Sequence, residues 1–151
     1  MKKFLLPLIA SLFFAAGAQG AELQSITIRR ADGRTVIFQV IPAVDDISRA
    51  TGLMNITELP QDQGMIFLYE KPMAVQFWMK NTLIPLDMVF FNKKGEITHI
   101  EASAKPESLE ARGPNRSDTC AVLEINGGAA AFQGLKVGDK LLFNDDSACL
   151  P

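Results

Sequence analysis

Apolar runs, some alternating with polar residues and some unbroken, are separated by Gly, Pro, Asn and Asp from residue 21 onward, a pattern of short strands and few helices. Residues 23–30 and 35–41 flank Ala31-Asp32-Gly33-Arg34, where Asp-Gly supplies the positive-φ turn of a hairpin. The pattern therefore predicts an N-terminal β-hairpin. After Pro42, residues 45–51 predict a short helix, with Asp45 or Asp46 as its N-cap and Gly52 as its stop. Residues 55–63 read as loop around Pro60.

Residues 65–69, 75–79 and 86–91 predict further strands; the first and last are so continuously apolar that both faces should be buried. Asn92-Lys93-Lys94-Gly95 turns the chain into a strand over 96–101. Residues 102–118 carry Pro106, Gly113, Pro114 and mixed charges without periodicity, which predicts a long surface loop, functional or mobile. A strand over 119–125, a helical turn over 128–133 and a closing strand over 140–143 follow. Before that last strand, Gly138-Asp139 predicts a tight corner whose carboxylate accepts backbone N–H groups, and it resembles the Gly-Asp corner of small cradle-loop and double-psi β-barrels. The fold class is mainly β, with α+β at its margin. It is a single domain over 21–151, built as a partly closed β-barrel or as compact antiparallel sheets with one or two short helices.

The first 20 residues break this pattern. Lys2 and Lys3 precede an apolar stretch from Phe4 to Ala16 interrupted only by Pro7 and Ser11, and Ala16-Gly17-Ala18-Gln19-Gly20 offers small residues for cleavage. These are the marks of a signal peptide over 1–20, cut after Ala18 or Gly20. The run is shorter than the roughly 20 apolar residues that span a bilayer, so no stable membrane anchor is expected after cleavage, and the mature chain should be a periplasmic or secreted monomer. Without Lys2 and Lys3 the formal net charge falls from −2 to −4. An acidic chain argues against a nucleic-acid partner. Export also changes the meaning of Cys120 and Cys149, because thiols in an oxidising compartment pair. Such a bridge would close a loop of about 30 residues and contribute about 3 kcal/mol in the chain-entropy model; the alternative is a buried free thiol in a strand.

The sequence holds no G-x-S-x-G, G-x-x-x-x-G-K, G-x-G-x-x-G, H-E-x-x-H or C-x-x-C. His99 is the sole imidazole and reads as a half-buried or solvent-facing strand residue. No catalytic set, metal site or cofactor is indicated. The densest polar group is Trp78-Met79-Lys80-Asn81-Thr82 with Pro85-Leu86-Asp87, set between apolar strands. Its polar side chains need partners. Asp87 could pair with Lys80 or Arg49 while Asn81 and Thr82 bond turn backbone; alternatively Arg49, Lys80, Asn81, Thr82 and Asp87 floor a ligand pocket walled by Met54, Phe67 and Trp78. Met54, Met65, Met73, Met79 and Met88 raise thioether binding of Cu(I), but they are scattered singly among Leu, Ile and Phe, which favours core filling.

Gly52-Leu53-Met54, Leu59-Pro60, Gly64-Met65-Ile66-Phe67, Trp78 to Thr82, Pro85-Leu86-Asp87 and Val122 to Gly128, followed by Gly138-Asp139, resemble in residues and order the signatures of the domain of unknown function 192 family. The resemblance implies a small, mainly β domain, often exported in bacteria, with no established activity, cofactor or catalytic residues. The functional expectation is a binding or accessory module for a small molecule or envelope protein. Two alternatives are an enzyme using Lys80 and Asp87 as an acid/base pair and a Met-rich copper-handling protein.

Overall fold

The computed structural model describes residues 22–142 and 149. The signal peptide expected over 1–20 and Phe143 of the closing strand lie outside the described residues. In chain order the elements are β1 (Gln24–Arg29), β2 (Thr35–Ala43), α1 (Asp46–Thr51), β3 (Gln63–Met73), β4 (Leu86–Asn92), β5 (Ile97–Ala104), β6 (Thr119–Asn126), α2 (Ala129–Phe132) and β7 (Lys140–Leu142). The strands form one curled sheet in the order β5-β4-β6-β3-β2-β1-β7, a half-barrel.

The predicted hairpin is β1 and β2, turned at Gly33 with φ +84°. β2 and β3 pair parallel, which needs a crossover; α1 and the loop after it supply one. The sheet edges meet at one corner, where Ile97 N–H donates to the Asp139 carbonyl at 2.8 Å and Leu141 N–H to that of Gly95 at 2.8 Å. The Gly-Asp corner makes this closure. Gly138 has φ +95°, and the buried Asp139 carboxylate accepts Ala31 N–H at 2.9 Å and Lys136 N–H at 2.8 Å.

Two cores follow from the period-2 pleat. Every strand sends apolar side chains to the inner face: Ile28, Phe38, Ile66, Val89, Ile97, Leu123 and Leu141, plugged by Ala129 and Ala130 of α2. The outer face carries Met65, Phe67, Met88, Phe90 and Val122, covered by Leu53 beyond α1 and by Val75 and Met79. β4 and β6, adjacent strands inside the sheet, are therefore buried on both faces, as the unbroken run over 86–91 predicts.

Residues 75–79 are not a strand. Their one ladder contact is the isolated bridge from Phe77 to Arg112, because the segment drops Val75 and Met79 onto the outer face. Phe77 meets Phe67 edge-on, with ring centroids 4.9 Å apart. The stretch predicted as loop over 102–118 first completes β5 and then lies back over the same segment, with Met79 N–H donating to the Ser108 carbonyl at 2.8 Å and Arg112 N–H to that of Phe77 at 2.7 Å. Cys120, buried in β6, is disulfide-bonded to Cys149, 29 residues on.

Candidate functional site

The outer face is built in rows, because residues paired across strands point to the same side of a sheet. One row reads Glu101, Met88, Glu124, Met65, Ile41, and the next His99, Phe90, Val122, Phe67, Ala43. Glu124 thus stands between two methionines in the middle strand of a covered apolar face. It is 4% exposed, and among the described residues no hydrogen bond or ion pair reaches its carboxyl. Burial alone pushes that carboxyl up to about 8, since a charge without a partner is costly in a low-dielectric interior. Burial thus favours the protonated acid over the bare carboxylate.

Above it lies α1, capped by Asp45, which accepts Ser48 N–H at 2.8 Å while Ser48 Oγ accepts Asp45 N–H at 3.2 Å. The helix stops at Gly52, with φ +49°. A Cβ there would sit 3.3 Å from the Phe67 ring and 3.8 Å from Glu124 Oε2, so the carboxyl points from the sheet toward this glycine. Arg49 fastens the helix to the sheet. Its guanidinium donates to the carbonyls of Val44 at 2.9 Å and Leu68 at 2.8 Å and pairs with Asp46 at 2.8 Å. It also lies 5.4 Å from the Tyr69 ring centroid. Burial pushes the Tyr69 phenol up to about 12, with Arg49 opposing the rise and Glu124 adding to it.

The residues singled out from sequence divide into three groups. Phe67 is buried beside Glu124, Arg49 lies over Tyr69, and half-buried Met54 follows Gly52, its sulfur 3.9 Å from Asn81 Nδ2. Trp78 and Lys80 lie at the surface, with the Lys80 ammonium 5.1 Å from the Trp78 ring centroid. Asn81, exposed at φ +53°, offers its carbonyl to Asn55 N–H at 2.8 Å, and buried Thr82 donates from Oγ1 to the Lys80 carbonyl at 3.2 Å. Asp87 departs from both expectations. It pairs with neither Lys80 nor Arg49; its Oδ1 accepts Ser103 N–H at 2.7 Å and Gly128 N–H at 2.9 Å, and its Oδ2 accepts Ala130 N–H at 2.8 Å. Fully buried on the inner face, it fastens α2 and β5 to β4. The acid/base pair Lys80–Asp87 is therefore not assembled, and the eight residues do not line one pocket.

Sequence reasoning missed Glu124 and Tyr69, and it named Met65 and Met88 only among five methionines that favour core filling. The available signal was Glu124 itself, one carboxylate inside the apolar run 119–125. Asn126, the next residue of β6 on that face, donates from Nδ2 to the Leu59 carbonyl at 2.8 Å. With residues 57–60, Ile84 and Pro85 it lines a cleft of about 480 Å³. At the far edge His99, half-buried, lies 3.4 Å from Glu101, which Arg112 pairs with at 3.0 Å. Among the described residues no group of three or more His, Cys, Asp or Glu side chains gathers, and no helix is long and apolar enough to cross a membrane.

The family model for domain of unknown function 192, described as uncharacterized ACR, matches residues 27–143. A crystal structure of a protein of unknown function from Novosphingobium aromaticivorans is 38% identical with a TM-score of 0.78, over 86% of this chain and 94% of that one. A protein from Sinorhizobium meliloti, proposed in its description to be a transcription regulator, is 35% identical with a TM-score of 0.79, over 83% of this chain and 97% of its own. No curated protein matches at a significant level.

Proposed function

The chain belongs to the domain of unknown function 192 family, and on that premise we propose that it is an exported binding module whose ligand is recognised on the outer face of the half-barrel, around Glu124. One observation carries the reading: a carboxyl 4% exposed that no hydrogen bond or ion pair reaches among the described residues. Buried polar groups are almost always satisfied, so an unpaired carboxyl set among apolar side chains calls for a partner from outside the chain. A scaffold gains nothing from it, because Gln or Met at this position would pack as well without a titrating group. A bound ligand that pairs with the carboxyl offsets the cost.

The surroundings suit recognition. Phe67 and the two flanking methionines give an apolar floor, Gly52 places no Cβ over the carboxyl, and Asn126, two residues along β6, lines a cleft. Export is supported by the signal-peptide pattern of residues 1–20 and by the Cys120–Cys149 bridge, which suits an oxidising compartment. The Sinorhizobium relative's description does not favour a DNA-bound role here, because 17 acidic against 15 basic residues leave no excess of positive charge for a phosphate backbone.

A thermal-shift screen of the mature protein against metals, peptides, sugars and envelope metabolites tests the reading. A ligand at 100 times its dissociation constant adds about 2.7 kcal/mol of stability. The expected result is a shift in the parent that Glu124→Gln loses and Lys80→Ala keeps. The reverse pattern would move the site to the exposed Trp78–Lys80 turn.

A further inference from the structure

We propose that Met65, Glu124 and Met88 form a site for one soft monovalent metal ion, Cu(I) in its natural form, held by two thioethers and a carboxylate. The inference rests on reading the outer face around Glu124 as the binding site, and it names the class of ligand.

Three observations lead to it. Glu124 is paired in register with Met65 on β3 and with Met88 on β4, so the three side chains rise from neighbouring Cα positions about 4.5 to 5.5 Å apart on one face. Methionines scattered through the sequence are thus adjacent in the sheet, which removes the spacing objection to convergent thioethers. Both flanking methionines are buried, at 7% and 0% exposure, and Met79, also at 0%, belongs to the same cluster. Between them stands a carboxyl with no partner among the described residues. Buried carboxylates are paired or coordinate metals, and no cationic side chain reaches this one.

The donor set selects the ion. Thioethers prefer Cu(I), whereas Mg²⁺ and Ca²⁺ need a shell of oxygens that one carboxylate cannot supply. Both cysteines are consumed in the disulfide, so no thiolate competes for a soft ion. Gly52 places no Cβ above the carboxyl, and Asn126, the next residue of β6 on this face, lines a cleft.

The test uses the mature, disulfide-intact protein with Ag(I) as the air-stable probe and Cu(I) under ascorbate, which spares the disulfide. Native mass spectrometry should show one ion per chain, and the ¹³C-labelled methyl signals of Met65 and Met88 should shift on titration while that of exposed Met73 stays. Met65→Leu with Met88→Leu conserves volume and should weaken Ag(I) binding by more than about a hundredfold, since even outer-shell losses cost 10- to 100-fold; Met73→Leu should leave it unchanged. Should the double variant fail to fold, the methyl shifts of the parent decide the matter. Absence of Ag(I) and Cu(I) binding, unmoved Met65 and Met88 methyls, or equal affinity in the folded double variant would each overturn the proposal. If a screened ligand then still stabilises the protein in a Glu124-dependent way, the binding reading stands and only the metal is wrong; if none does, both fall.

Discussion

Glu124 and Asp87 are both buried acids, and their environments give them opposite roles. Asp87 accepts three backbone N–H groups, so Asp87→Ala strands several buried donors and should cost about 3 kcal/mol or more. Lys80→Ala, at an exposed site, should cost under about 1 kcal/mol, and the double variant should be additive within about 0.5 kcal/mol because the two side chains share no partner. Urea melts of the three variants check this, and a coupling above 1 kcal/mol would restore the pair that the structure lacks. For Glu124 the sign runs the other way. Its folded pKa, about 8, lies above the ordinary 4.5, so the folded chain keeps a proton that the unfolded chain releases between these values. Stability of the metal-free protein should therefore fall as pH rises from about 4.5 to about 8 and level off beyond. Glu124→Gln should abolish that slope, matching the parent near pH 4.5 and exceeding it at pH 8.5; parallel melting profiles would show the carboxyl to be solvated. Neither role was fully legible in the sequence. The need for partners around Asp87 was, but donors 41 and 43 residues away at Gly128 and Ala130 leave no local spacing to read, and the neighbours of Glu124 are set by strand register.

The elements show the same division between local and distant causes. The β1–β2 hairpin, α1 with its Asp45 cap and the doubly buried β4 follow from turn chemistry, capping and apolar runs, all of which act within a few residues. The 75–79 segment misled because period-2 burial also arises when a loop inserts alternate side chains into an existing face, as Val75, Phe77 and Met79 do. The parallel β2–β3 pair was invisible for a different reason: it depends on where the chain returns after α1. The Gly138-Asp139 corner was readable and carries a prediction about sheet closure. Asp139→Ala removes the acceptor of Ala31 and Lys136 N–H groups and should cost about 1 to 2 kcal/mol. A Cβ at Gly138 meets no atom within 4 Å, so the penalty of Gly138→Val is first conformational: a β-branched residue at φ +95° is strained whatever the space around it. Both should speed exchange of the Ile97 and Leu141 amides, which hold the corner, more than that of the Leu123 amide in mid-sheet. Uniform loss of protection would mean that the corner is no separate closing device.

On the scale of the molecule, the described residues close the half-barrel at that corner, and the disulfide adds a second tie, from β6 to the chain beyond β7. A cross-link over 29 residues restricts the unfolded chain and should contribute about 3 kcal/mol. Cys149→Ser alone is the wrong test, because it leaves a buried thiol at Cys120 free to form mixed disulfides. Cys120→Ala with Cys149→Ala removes the bridge and nearly preserves the packing of the small Cys120 side chain between the inner-face residues. The double variant should melt lower by several degrees, a loss matched by mild reduction of the parent protein and absent when the variant is reduced. Localisation enters the same measurement. If the signal over 1–20 directs export, periplasmic material should have the mass of a chain starting after Ala18 or Gly20, less two hydrogens for the bridge. The same gene product held in the reducing cytoplasm should keep its full length and both thiols, and should show the lower melting temperature. Oxidised, full-length protein in the membrane fraction would separate the disulfide from export and leave the bridge without its expected compartment.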